Sequence, residues 1–190
     1  MAVKILLDTV ALIALSGLED ENLKDQIRKL DIELWITHIQ VDEKYHKEVI
    51  FDRKIEKALD TLKKWINVRI KPTEITVCGI SRLGYSKLSD NEINELYDEL
   101  KKEITECEKV KGRAKDPLNV ACDAITAISS ISCDFFITCD KCLSESWTGI
   151  IRKHKVTKLF PPTKYVEPNP IKVAKLIVDS AHELETSTSK

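Results

Sequence analysis

Residues 3–17 read VKILLDTVALIALSG. VKILL is built of Val, Ile and Leu with a single lysine, the composition of a strand buried in a parallel sheet. The strand is expected over 3–9, ending at Asp8-Thr9. VALIALSG is helical in character and stops near Gly17. A buried strand running straight into a helix opens a βα unit, so the first question is whether the alternation continues.

It does. LEDENLKDQIRKL (18–30) is an amphipathic helix and IELWIT (32–37) a strand. Residues 38–65 are long, charged and helical in period, with Thr37 as the expected cap. INVRIK (66–71) is a further strand. Residues 72–88, with Pro72, Gly79 and Gly84, predict an irregular loop. Ser89 and Glu92 form a capping-box pattern for a helix over 89–110, which KGRAK (111–115) breaks. A helix runs from Asp116 to about Ser130, followed by CDFFITCD (133–140), an apolar strand ending in an acid. TKLF (157–160) reads as a short strand and PPTKYVEPNP (161–170) as a Pro-rich connection. IKVAKLIVDSAHELE (171–185) reads as an amphipathic helix capped by Asn169 with Pro170 first. The pattern predicts a three-layer α/β/α fold with a mainly parallel central sheet. Sites in such sheets form at the carboxyl ends of strands, which selects the chain after KILL, ELWI and FFIT.

The bulk numbers narrow the class. A chain of 190 residues is long enough for one well-buried domain with an added helix. Hydrophobic residues make up 43% and charged residues 32%, which excludes a disordered chain. The net charge of −1 means that any anionic partner is held by a local patch or by metals. Asp8 interrupts the apolar start, which lacks the basic beginning and unbroken core of a signal peptide. It is also short of the roughly 20 apolar residues of a spanning helix. A cytoplasmic protein with no membrane partner is expected. The six cysteines lack zinc-ribbon spacing and read as reduced, small apolar residues. The lone C-x-x-C, Cys139 to Cys142, leaves a redox or zinc role as the alternative.

The acids carry the chemistry. Asp8 and Asp140 each follow an apolar strand. Such an acid alone is often a turn former or helix cap, but two at equivalent strand ends converge on one edge of the sheet. Glu43 lies in the helix after Thr37, among Ile39, Val41, Tyr45 and Val49; its alternative reading is a surface charge. KDPLNVACD (115–123) places Asp116 and Asp123 seven positions apart, two helical turns, so that both point the same way. Five carboxylates around one pocket repel one another unless a cation sits among them. Oxygen-only ligands favour Mg²⁺ or Mn²⁺ over zinc. Such ions activate water for phosphodiester hydrolysis. No P-loop, G-x-G-x-x-G or H-E-x-x-H competes.

VKILLDTVALIAL, THIQVDE, KDPLNVACDAITA and CDFFITCDKCL together resemble the PIN-domain family of metal-dependent ribonucleases, including its toxin-like members. The match rests on Asp8-Thr9 after the first strand and on Glu43 six residues after Thr37. It rests further on KDPLNVACDAITA, set against the family's Asp that opens a helix of the form D-A-L-x-x-A, and on Thr138-Cys139-Asp140. The resemblance implies a PIN-like fold and a carboxylate-bound Mg²⁺ or Mn²⁺ that activates water to hydrolyse RNA. Asp8, Glu43, Asp140 and one or both of Asp116 and Asp123 would be the metal-binding and catalytic residues, with Thr9, Asn119 and Thr138 in support. Residues 1–160 would form the nuclease domain, with a loop-helix insertion at about 72–115, and 161–190 a Pro-rich linker and helix. Val10 and Cys139 depart from the family's usual polar residues, which keeps an inactive RNA-binding or scaffold protein as the alternative.

Asp116, before Pro117, makes a standard helix start, whereas Asp123 sits mid-helix, where Asp is disfavoured. Asp123 precedes Asp140 by 17 residues, near the family's spacing, and Asp116 by 24. Either remains a candidate for the third ligand. RNA along an acidic pocket needs a basic rim, for which Arg82, Lys87 and Lys141 are the candidates. The expected partners are RNA, a second copy of the chain through the final helix, and, for a toxin, an antitoxin protein.

Overall fold

The computed structural model describes residues 2–42, 49–71, 91–155 and 160–188. In chain order the elements are β1 (Val3–Leu7), α1 (Thr9–Ser16), α2 (Glu21–Lys29), β2 (Ile32–Thr37), α3 (His38–Asp42), α4 (Val49–Leu62) and β3 (Val68–Lys71). There follow α5 (Asn91–Val110), α6 (Pro117–Ile128), β4 (Phe135–Thr138), α7 (Lys141–Lys153), β5 (Thr163–Tyr165) and α8 (Pro170–Thr188). The five strands form one sheet in the order β3-β2-β1-β4-β5, and every pairing is parallel. The expected three-layer α/β/α class is what forms.

Alternation within the strands explains the layers. Ile5 and Leu7 of β1 face one core, with α1, α2, α4 and α8. Leu6 of β1 and Phe136 of β4 face the other, with α5, α6 and α7. Both faces of the central strands are thus covered, as a run like VKILL requires. β1 lies in the middle of the sheet, with Ile5 paired to Leu34 on one side and to Phe135 on the other. Its carboxyl end therefore opens at the centre of one edge.

Several boundaries differ from expectation. The Pro-rich connection at 161–170 holds β5, which pairs with β4. An edge strand tolerates preceding prolines because one side of its backbone needs no donor. The Pro162 carbonyl is used, accepting from Phe136 N–H at 3.1 Å. Residues 156–159, most of the expected short strand, lie outside the described residues, as does the expected loop at 72–88. Residues 38–65 hold α3 and α4, with 43–48 outside the described residues. Thr37 closes the start of α3 with Gln40, whose Oε1 accepts the Thr37 N–H at 2.7 Å, one half of a capping box. Asn169 caps α8 as expected, its Oδ1 accepting from Ile171 and Lys172 N–H. Cys107 and Cys142 are disulfide-bonded, against the reading of six reduced thiols, because α5 and α7 pack side by side there. Among the described residues no helix is long and apolar enough to cross a membrane.

Candidate functional site

The site begins where β1 and β4 end. Asp8, directly after β1, is only 5% exposed. Its Oδ1 accepts the Ala11 N–H at 2.6 Å, capping α1. Its Oδ2 accepts the Cys139 N–H at 2.8 Å and the Thr138 hydroxyl. Burial pushes the Asp8 carboxyl above its ordinary range; the Thr138, Ala11 and Cys139 bonds oppose the rise, and Asp140 adds to it.

Thr138 joins the two strand-end acids, since its hydroxyl also accepts the Asp140 N–H at 2.9 Å. Asp140 caps α7, its Oδ1 accepting the Leu143 N–H at 2.9 Å. Its Oδ2 lies 2.5 Å from Lys115 Nζ. Burial works to raise the Asp140 carboxyl, but Lys115 and the α7 backbone amides together hold it below its usual range.

Asp123 arrives from the other direction, mid-way along α6. Its Oδ2 also lies 2.5 Å from Lys115 Nζ. Burial raises its carboxyl, Lys115 opposes, and Asp140 and Asp8 add to the rise, leaving it at about 7. Burial disfavours the Lys115 charge, yet its two carboxylate partners outweigh burial and hold it above the ordinary lysine range. One ammonium thus bridges two of three converging aspartates.

Two acceptors at this site are poorly satisfied. Asn119 Oδ1, one turn before Asp123, is buried with no hydrogen-bond partner among the described residues. Asp123 Oδ2 is buried too, with the ion pair to Lys115 but no well-aligned hydrogen bond. Buried acceptors of this kind are where a cation or a water it orders is accommodated. The donors are all oxygens, so the residues fit a hard divalent ion.

The remaining candidates are placed as follows. Asp116 is exposed and caps α6, its Oδ1 accepting the Leu118 N–H at 2.9 Å. Thr9 is the half-buried first residue of α1. Lys141 opens α7 and lies 3.7 Å from Glu145. Glu43, Arg82 and Lys87 lie outside the described residues. The structure therefore brings together Asp8, Asp123, Asp140, Thr138 and Asn119, with Asp116 at the outer end of α6.

Sequence reasoning missed Lys115, and no local pattern marks it, because it lies in the break between α5 and α6. It also missed a cleft of about 360 Å³ beside Asp140, lined by Glu108, Lys111, Arg113, Lys141 and Tyr165 among others. The donor atoms of Glu108, Asp140 and Cys142 all lie within 4.8 Å of one another, but the Cys142 sulfur is committed to Cys107. Burial and the Asp8 charge push the Cys139 thiol up to about 12, so it is protonated and poorly nucleophilic. Cys139 and Cys142 are accordingly not a dithiol pair.

No family model matches the chain, and no curated protein matches it. Among solved structures the chain is similar to one described as "Crystal structure of VapBC2 from Rickettsia felis bound to a DNA fragment from their promoter". The identity is 11%, the TM-score is 0.37, and the match covers 85% of this chain and 98% of that one.

Proposed function

We propose that the chain is a metal-dependent endoribonuclease of the PIN type. Asp8, Asp123 and Asp140 hold Mg²⁺ or Mn²⁺, with Glu43, which lies outside the described residues, as the fourth ligand. The observation that carries this reading is the convergence of Asp8, Asp123 and Asp140 on one edge of the sheet, close enough that the charges of Asp8 and Asp140 raise Asp123. The motif resemblance supports the same residues.

A bound Mg²⁺ or Mn²⁺ supplies Lewis-acid polarisation of water and of the scissile phosphate. The chain's own residues do the rest. The α1 and α7 caps and the Thr138 hydroxyl lock Asp8 and Asp140 in place. Asp123 and Asp140, which pair with Lys115 here, would hold the cation between them in its place. Asn119 orients the Asp123 carboxylate or an ordered water. In purified protein, Asp8→Asn should reduce Mn²⁺-dependent cleavage of single-stranded RNA to the metal-free level. Unchanged cleavage and unchanged Mn²⁺ affinity in that variant would falsify the mechanism.

Lys115 favours a second reading, an RNA-binding protein without catalysis. Its ammonium already stands between Asp123 and Asp140, where a cation is required. Sustained Mn²⁺-dependent turnover of single-stranded RNA by the unmodified chain excludes that reading.

A further inference from the structure

The cleft beside Asp140 combines three features that the carboxylate site does not explain. The first is Glu108, near the end of α5 and only 6% exposed. Its carboxylate lines the cleft and has no hydrogen-bond or ion-pair partner among the described residues. A carboxylate is an acceptor-only group, so one that faces a cleft is matched by a ligand that donates to it. The second is Tyr165, at the end of β5, whose ring is presented to the same cleft at 43% exposure. The third is a cationic rim of Lys111, Arg113 and Lys141. The α5 terminus aims part of this rim. Gly112 takes φ 69°, its N–H donates to Lys109 O, and Arg113 N–H reaches back to Glu108 O, a Schellman stop that only the residue without a Cβ adopts freely.

An exposed aromatic ring, basic groups and a carboxylate acceptor in one cleft match the parts of a nucleotide: a base face to stack, phosphates to neutralise and a base edge to read. The acceptor narrows the base. Only guanine presents two adjacent donors, N1–H and N2–H, on its Watson–Crick edge, and a carboxylate takes both at once. Adenine and cytosine each place an acceptor beside their single amino group, and uracil flanks its one N–H with two carbonyls. A divalent cation between Glu108 and Asp140 is disfavoured by the three cations around the cleft and by the disulfide that removes the Cys142 sulfur.

We infer that this cleft is a base-reading subsite, in which Tyr165 stacks on a guanine of single-stranded RNA, Glu108 accepts from its Watson–Crick edge, and Lys111, Arg113 and Lys141 take the flanking phosphates. It rests on RNA as the substrate class. Its place beside Asp140 puts the guanine next to the scissile phosphate.

The test is binding without cleavage: fluorescence anisotropy of the full chain in EDTA with oligo-adenylate RNA carrying one central guanine, cytosine, uracil or no replacement. The guanine oligonucleotide should bind on the order of ten-fold tighter than the other three. Glu108→Gln should abolish that preference. Tyr165→Ala, at an exposed position that does not threaten folding, should weaken all four on the order of ten-fold and keep the preference. Equal binding of the four, a guanine preference intact in Glu108→Gln, or Tyr165→Ala without effect overturns the subsite. A drop in the number of Mn²⁺ ions bound on Glu108→Gln, read by calorimetry, also overturns it, by making Glu108 a cation ligand. Absence of binding by every oligonucleotide overturns the RNA reading as well, whereas the other failures leave it standing.

Discussion

Asp123 and Lys115 show how one residue pair governs the site. A carboxyl at about 7, against an ordinary 3.8, keeps a proton in the fold that the unfolded chain has already lost. Between about pH 4 and pH 7 the folded state thus binds more protons, so this group's contribution to stability falls as pH rises through that window. Asp8 is raised and acts with the same sign, while Asp140 is held low and its stabilisation is already complete above pH 4. In EDTA the melting temperature should therefore fall from pH 5 to pH 8, and Asp123→Asn should flatten that slope; an unchanged slope in the variant would contradict the placement of Asp123. Lys115 offsets the same charges. Lys115→Met should cost about 2 kcal/mol in EDTA by urea denaturation, between the values for surface and buried ion pairs. The same variant should bind Mn²⁺ more tightly than the natural chain, because the competing ammonium is gone. If titration shows weaker Mn²⁺ binding instead, the lysine does not share the cation's place.

At the scale of elements, helix termini do most of the positioning. Asp8, Asp116 and Asp140 all cap helices, so the reading of strand-end acids as caps and the reading of them as site residues are not exclusive. A cap uses one carboxylate oxygen and leaves the other directed at the sheet edge, as Asp140 illustrates with Leu143 N–H and Lys115. The far end of α6 is held differently. Lys71, the last residue of β3, is buried and donates its ammonium to Ser129 O at 2.7 Å and to Ile131 O. This places positive charge at the negative end of the helix that carries Asp123. Lys71→Met should cost about 2–3 kcal/mol, because it removes charge-assisted bonds and strands buried carbonyls. A urea midpoint equal to that of the natural chain would show that water replaces the lysine.

At the scale of the molecule, two cores on opposite faces of the sheet hold the site edge rigid. α8 belongs to the first of them, with Val173, Ala174, Ile177, Val178 and Ala181 buried. Burying Val173, Ile177 and Val178 alone is worth roughly 5–9 kcal/mol, comparable with the whole stability of a typical domain. A chain ended before Pro170 should therefore fail to fold cooperatively by circular dichroism melting. A cooperative transition in that truncated chain would show that α8 is an appendage. The disulfide between Cys107 and Cys142 ties α5 to α7 on the other face, beside the Glu108 cleft.

VKILL, IELWIT and FFIT announced their strands because a strand buried on both faces must be apolar throughout, and that pattern is local. Asp8, Asp140 and the Asp116-Pro117 helix start were equally legible, since caps follow from neighbouring residues. β5 was hidden among prolines, because an edge strand needs only one row of backbone bonds and little apolar character. Lys115 between Asp123 and Asp140, Lys71 under α6, and Glu108 beside Tyr165 join residues 8 to 60 positions apart. No periodicity records such contacts. They exist only once parallel crossovers bring distant helix ends to one sheet edge, where burial and mutual repulsion give the same carboxyl groups different proton affinities.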